Sequence, residues 1–258
     1  MNYQNVTDLP NNNTIFLVWT FKKEADKAPL KAAFSKVCGL VGNLNNSVAN
    51  RFPEGRASVT IGISHSAWLA LGLPKPLPKE LKDFQPIKGS KHTAVATEGD
   101  LHFHIRAHNQ SLAYDMAAAI SEVMQPIADC IVNVQGFRYW DGRAIIGFVD
   151  GTENPHGDEK IASVGIIAEG KSAGGSYVVL QQYLHDLKKW DSIGVAQQEQ
   201  AVGRSKEDNI EFPREERLPD SHLGRTNIKE NGVGLKIVRR SLPFGQVGGE
   251  HGLQFIAY

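Results

Sequence analysis

Asp150 stands out by its setting: in Gly147-Phe148-Val149-Asp150-Gly151-Thr152-Glu153-Asn154-Pro155 it follows the apolar run Ala144-Ile145-Ile146-Gly147-Phe148-Val149 and opens a turn. Asp-Gly followed by Asn-Pro reverses the backbone, so the carboxylate is either an Asx-turn former or an acid–base group placed where a buried segment meets the turn. A calcium loop is excluded, because it needs Gly at its sixth position and Glu at its twelfth. Counted from Asp150, those positions hold Pro155 and Ile161. His222, in Pro219-Asp220-Ser221-His222, is either a solvated loop imidazole or a ligand. Arg239 and Ser241 lie two apart on an expected strand, so they share one face while Arg240 takes the other; the alternative leaves both arginines exposed on an edge strand. His102 and His104 alternate along another expected strand with His108 just beyond, but two same-face histidines lack the third convergent ligand of a metal site. Packing on the sheet is the simpler reading of that pair.

Taken in order and spacing, three segments resemble the signature of the dye-decolourising peroxidases: the Gly-x-x-Asp-Gly element at 147–151, Pro219-Asp220-Ser221-His222, and Val238-Arg239-Arg240-Ser241-Leu242-Pro243-Phe244-Gly245. The closing Gly252-Leu253-Gln254-Phe255-Ile256-Ala257-Tyr258 is similar to the family too, and the likeness runs over essentially the whole chain. It is closest to the short bacterial members that lack a secretion signal. The resemblance implies haem b as cofactor, with His222 as the axial iron ligand, a standard role for imidazole. It implies Asp150 as the distal acid, Arg239 and Ser241 beside it, and Gly151, Thr152, Glu153 and Phe255 at the cofactor. Arg204, in Ala201-Val202-Gly203-Arg204-Ser205-Lys206, would neutralise a haem propionate, which a guanidinium can meet with two parallel hydrogen bonds. Hydrogen peroxide would be the oxidant, and small aromatic reductants such as dyes and phenols would be oxidised by one-electron steps. A homo-oligomer and an encapsulating shell protein are the partners it suggests. From a different function class, the same pocket could hold or release haem with little turnover, or belong to a relic that no longer binds it. Tyr139 and Trp140, after a strand end, are candidates for passing electrons to bulky substrates.

The elements that would position these residues read as α+β. Strands are expected at Thr14–Phe21, Ala57–Ile63, Leu101–Arg106 and Ile131–Phe137 from their β-branched and aromatic content. Helices are expected at Pro29–Val41, Ser66–Leu73 and Leu112–Met124, and a surface loop at Pro74–Gly89. This β-α-β-β-α-β order is the ferredoxin-like arrangement, an antiparallel sheet backed by helices. The second half begins to repeat it with a strand at Gly175–Tyr183, a helix at Leu184–Val202, and strands at Gly234–Arg240 and Leu253–Tyr258. We therefore expect two ferredoxin-like domains of the dimeric α+β barrel type, 1–138 and 139–258. The second would lack its last helix and strand, and with them the late carboxylate that orients the axial histidine in the family.

Composition narrows the partners. Among 258 residues, Lys plus Arg number 28 and Asp plus Glu number 28, so a neutral chain offers no electrostatic footprint for nucleic acid. The N-terminus carries no basic region followed by an apolar one, and no stretch reaches the roughly 20 apolar residues of a membrane helix. Two distant cysteines, Cys38 and Cys130, suit reduced, buried thiols in a cytoplasmic protein rather than a disulfide framework.

Overall fold

A computed structural model describes residues 3–258, which divide into two compact units. Unit 1 comprises residues up to Gly136 together with Ile166–Val178, and unit 2 comprises Phe137–Gly165 and Val179–Tyr258.

Unit 1 runs β1 (Asn13–Phe21), α1 (Lys27–Arg51), β2 (Ser58–Ile63), α2 (His65–Leu71), β3 (Ile87–Lys88), β4 (Thr93–Ala94), β5 (Leu101–Ala107), α3 (Gln110–Met124) and β6 (Ala128–Phe137). Its sheet is ordered β2-β5-β1-β6, with β5 antiparallel to both β1 and β2. That order is the ferredoxin-like one. Alternation gives the sheet one greasy face: Ile15, Leu17 and Trp19 line up with Leu101, Phe103, Ile105 and Val59 in one buried cluster. Against it lie two helix stripes, Leu30, Val37, Val41 and Val48 on α1, and Ala113, Met116, Ala117, Ile120 and Met124 on α3. Ser64 starts α2 by accepting from the Ala67 N–H, and Gly72, at φ 59°, ends it in the left-handed region where glycine is free of a Cβ clash. The expected surface loop after Pro74 carries the short β3–β4 hairpin.

On the opposite face of that sheet His104 is fully buried and stacks on Phe16 at 5.0 Å. His102 has both ring nitrogens buried without a hydrogen-bond partner, and burial pushes its pKa down to about 4. Among the described residues no group of three or more His, Cys, Asp and Glu is placed to hold a metal ion. The expectation of buried cysteines fails: Cys38 and Cys130 are free but exposed, each on the outer side of its element.

Unit 2 contains α4 (Asp158–Gly165), β7 (Val179–Leu184), α5 (Leu187–Ser192), α6 (Val195–Val202), α7 (His222–Thr226), β8 (Lys229–Glu230), β9 (Val233–Gly234), β10 (Leu242–Gly245) and β11 (His251–Ala257). Its three longer strands are ordered β10-β11-β7, all antiparallel. Two expectations need correction here. The helix expected over Leu184–Val202 is broken into α5 and α6, because Gly194 sits at φ 74°, outside the helical region. The strand expected over Gly234–Arg240 is mostly irregular. Asn231 and Gly232, both at positive φ, turn the chain into the small β8–β9 hairpin, and pairing with the last strand begins only at Val238.

Candidate active site

Asp150 is presented by a knotted turn rather than by the end of a buried strand. The Gly147 N–H donates to the Ala144 carbonyl, the Ala144 N–H to the Phe148 carbonyl, and the Asp150 N–H to the Gly142 carbonyl. Only Phe148 of the apolar run is buried, edge-on to Trp190 at 6.1 Å. Gly147 has φ 94°, a conformation that side chains with a Cβ rarely adopt, so any other residue there would strain the turn. Arg143 laces it together by donating to the carbonyls of Gly147 at 3.0 Å and Lys206 at 2.6 Å.

The carboxyl of Asp150 keeps surface open to solvent, yet enough protein surrounds it for burial to be the largest influence on its pKa. Burial pushes the carboxyl above the ordinary range, against the opposing pull of the Arg239 guanidinium, the Gly151 N–H and His222. His222 is lowered by burial and by Arg239, while Asp150 raises it. The three side chains therefore lie within reach of one another's charge.

What joins the Asp150 loop to Arg239 is Asn154. Its Nδ2 donates to the Arg239 carbonyl at 3.1 Å, and its Oδ1 accepts from the Arg239 N–H at 2.8 Å, so the carboxamide pairs with this backbone as a neighbouring strand would. Sequence reasoning took Asn154 for a turn residue only; the Asn-Pro pair announces the turn, whereas the long-range partner has no local signal.

Residue alternation places Arg239 on the same face of the sheet as Leu253, Phe255 and Ala257 of β11 and Val179, Gln181 and Tyr183 of β7. Val179 and Tyr183 are exposed, and Leu253 and Phe255 are part-exposed, which leaves an apolar floor beside a cation. Arg240, on the other face, is buried, so the alternative of two exposed arginines does not hold. Ser241 is also buried, and its Oγ accepts from the Ile256 N–H at 3.2 Å, supplying a rung of the ladder rather than an open hydroxyl.

His222 begins α7, exposed, one residue after the buried Ser221. The Ser221 Oγ accepts from the Gly224 N–H at 3.1 Å and donates to the Leu218 carbonyl at 2.7 Å, fixing the angle at which the chain enters the helix. Arg204 is buried among protein partners. It contacts Glu153 at 3.1 Å and Glu211 at 3.6 Å, and donates to the Asn209 carbonyl at 2.6 Å. Thr152 joins the same cluster through Asn209 Nδ2, at 3.0 Å. Gly151, at φ 79°, serves the turn.

These residues fit a haem. The part-exposed apolar floor suits a flat macrocycle, and the Nε of Arg239 is buried with no hydrogen-bond partner in the protein. His222 offers an exposed imidazole within electrostatic reach of the same guanidinium.

Comparison with known proteins agrees. The sequence patterns described as "Dyp-type peroxidase, N-terminal" and "Dyp-type peroxidase, C-terminal" match residues 5–138 and 141–258. The dye-decolorizing peroxidase of Mycobacterium tuberculosis is 40% identical over 95% of this chain and 72% of its own length; that of Rhodococcus erythropolis is 38% identical over 95% and 71%. Among solved structures, a dye-decolorizing peroxidase from Bacteroides thetaiotaomicron superposes with a TM-score of 0.87 at 40% identity, covering 99% of this chain and 82% of that one. DyPB from Rhodococcus jostii RHA1 gives 0.88 at 32%, covering 100% and 82%, and variants of it are solved in complex with heme. The chain belongs to the Dyp-type peroxidase family, with its ferredoxin-like α+β fold. It is a haem-dependent peroxidase, and haem handling without turnover is not the favoured alternative.

Proposed function

We propose that His222 would hold the haem iron, that Asp150 would move the proton of hydrogen peroxide, and that Arg239 would stabilise the charge that develops as the O–O bond breaks. The observation that carries this reading is the mutual electrostatic influence of these three side chains across a part-exposed apolar sheet face. When bound, haem supplies the redox chemistry on peroxide and on the reductant. Asp150, ionised, accepts a proton from one peroxide oxygen and returns it to the other, so that water is the leaving group. Arg239 would place its guanidinium charge near the oxygen that gathers negative charge. Phe255 and Leu253 line the floor and exclude water from one side of the site. Ser241 acts by holding the Arg239 segment to β11. Substituting Asp150 by Asn or Arg239 by Gln should leave haem content near that of the parent while slowing the stopped-flow reaction with peroxide; parent rates in both variants would refute these roles.

Self-association belongs to the same proposal. The β2 edge is capped by side-chain amides, Asn45 pairing both backbone groups of Val59 and Gln4 those of Ile61. The β7 edge has no such cap among the described residues, and Val-Leu-Gln-Gln-Tyr-Leu carries no charge to repel another strand. Sedimentation should show an oligomer that Gln182→Lys weakens, and a monodisperse monomer would end the idea. The encapsulated peroxidase of Mycobacterium smegmatis, 37% identical with a TM-score of 0.90, supports packaging in a shell. We place the protein in the cytoplasm on the same reading. Among the described residues no helix is long and apolar enough to cross a membrane.

A further inference from the structure

A chain of charge contacts crosses unit 2 from the Asp150 loop to the segment that carries His222. Glu153, three residues after Asp150, meets Lys236 at 3.4 Å through one carboxylate oxygen and Arg204 at 3.1 Å through the other. Arg204 meets Glu211 at 3.6 Å, and the second oxygen of Glu211 meets Arg217 at 2.7 Å. Arg217 stands five residues before His222. Arg204 and Arg217 are largely buried, so this is not an exposed, screened array. The backbone follows the same route: Arg204 and Glu211 form an antiparallel bridge, the Phe212 N–H donates to the Gly203 carbonyl, and the turn at Gly203 presses on both Arg217 and Ser221. A Cβ at Gly203 would lie 3.2 Å from Ser221 Oγ and 3.3 Å from the Arg217 stem.

We propose that Glu211 and Arg217 are positioning residues which, through Arg204 and Glu153, hold the His222 helix in register with the Asp150 loop and so set the gap that haem must fill. This rests on His222 being the axial ligand. The physical case is that a ligand on a five-residue helix has little rigidity of its own. The Glu211–Arg217 pair, buried on its Arg217 side and shared with Arg204, ties the segment before this helix to the Arg204 cluster. Breaking it leaves a largely buried guanidinium without its carboxylate, and the strain falls on the segment immediately before His222. The axial bond should then become longer or less uniform, and haem should leave faster.

Glu211→Gln keeps the shape and removes the charge; Arg217→Gln does the same from the other side. In the haem-loaded protein each should speed haem transfer to apomyoglobin by about 10-fold, the lower end of what outer partners of metal ligands contribute. Each should also shift or broaden the iron–histidine stretching band of the reduced protein, which loss of general stability would not do. The double variant should be no worse than either single one, since both break the same tether. Arg217→Lys should recover part of the parent's band. Parent-like bands and haem-loss rates in both glutamine variants, or effects that simply add, would overturn the proposal. His222→Ala run beside them separates the two failures. If it loses the band while the glutamine variants keep it, the axial assignment stands and only the tether falls; if it keeps the band, both fall.

Discussion

At Asp150, burial and the Arg239 guanidinium act in opposite directions, and burial prevails. A carboxylate that must be ionised to accept a proton loses that capacity as pH falls through its raised pKa, so the peroxide reaction should slow on its acid side at a higher pH than an ordinary aspartate would give. Arg239→Gln removes a charge that holds the pKa down, and should move this acid limb to still higher pH; stopped-flow rates across pH 3–8 read the shift, and an unmoved limb would separate the two residues. Asp150→Asn should cost about 10²- to 10⁴-fold in that reaction, the usual contribution of a general acid–base group. The same substitution should raise the melting temperature of the haem-free protein at neutral pH. The folded state there holds an ionised carboxylate that burial disfavours, whereas the unfolded chain does not, and the advantage should vanish below the ordinary carboxyl range, where both states are protonated. As candidates, Asp150, Arg239 and His222 were legible in the sequence through their flanking motifs. Asn154, Glu211 and Arg217 were not, because their importance lies in partners 85, 7 and 6 residues away and no local pattern marks such pairs.

Helices and strands were legible where they are long and half-buried. In unit 1 the apolar stripes on α1 and α3 and the β-branched and aromatic content of β1 and β5 marked the elements, although α1 runs on to Arg51, ten residues past the expected Val41. In unit 2 the elements are short, exposed, and interrupted by glycines at positive φ, and the helix over Leu184–Val202 and the strand over Gly234–Arg240 were overextended for that reason. Asn231-Gly232 is a strong hairpin signal that outweighs the strand-like residues after it. Two substitutions test how far these small elements govern the site. Ser221→Ala removes the cap of α7 and should destabilise the protein by about 1 kcal/mol in urea unfolding while also weakening haem retention. Gly203→Ala places a methyl group against Ser221 and Arg217 at a residue with φ 87°, and should do more damage than the lost cap alone.

Across the whole molecule, the complete ferredoxin-like sheet of unit 1 holds the large apolar core, and the candidate residues Asp150, His222 and Arg239 lie in unit 2, where one sheet face is part-exposed. The fold class, the cofactor and the enzyme class could be anticipated from three ordered motifs because each motif sits at a backbone turn or strand whose geometry its residues impose. Unit 1 holds a second group whose titration bears on stability. His102 holds its pKa near 4, so the unfolded chain takes up a proton below about pH 6.5 while the folded one does not, and stability should fall between those values by up to about 3 kcal/mol. His102→Gln should flatten that part of the stability profile, measured by urea unfolding at pH 7, 5.5 and 4; an unchanged slope would place the acid sensitivity elsewhere. The most direct test of the central claim is the visible and resonance Raman spectrum of the haem-loaded protein beside His222→Ala, with and without added imidazole. The parent should show a histidine-ligated haem; the variant should lose the iron–histidine band, and imidazole should restore ligation. An unchanged band in His222→Ala would mean that another residue holds the iron and would contradict the account.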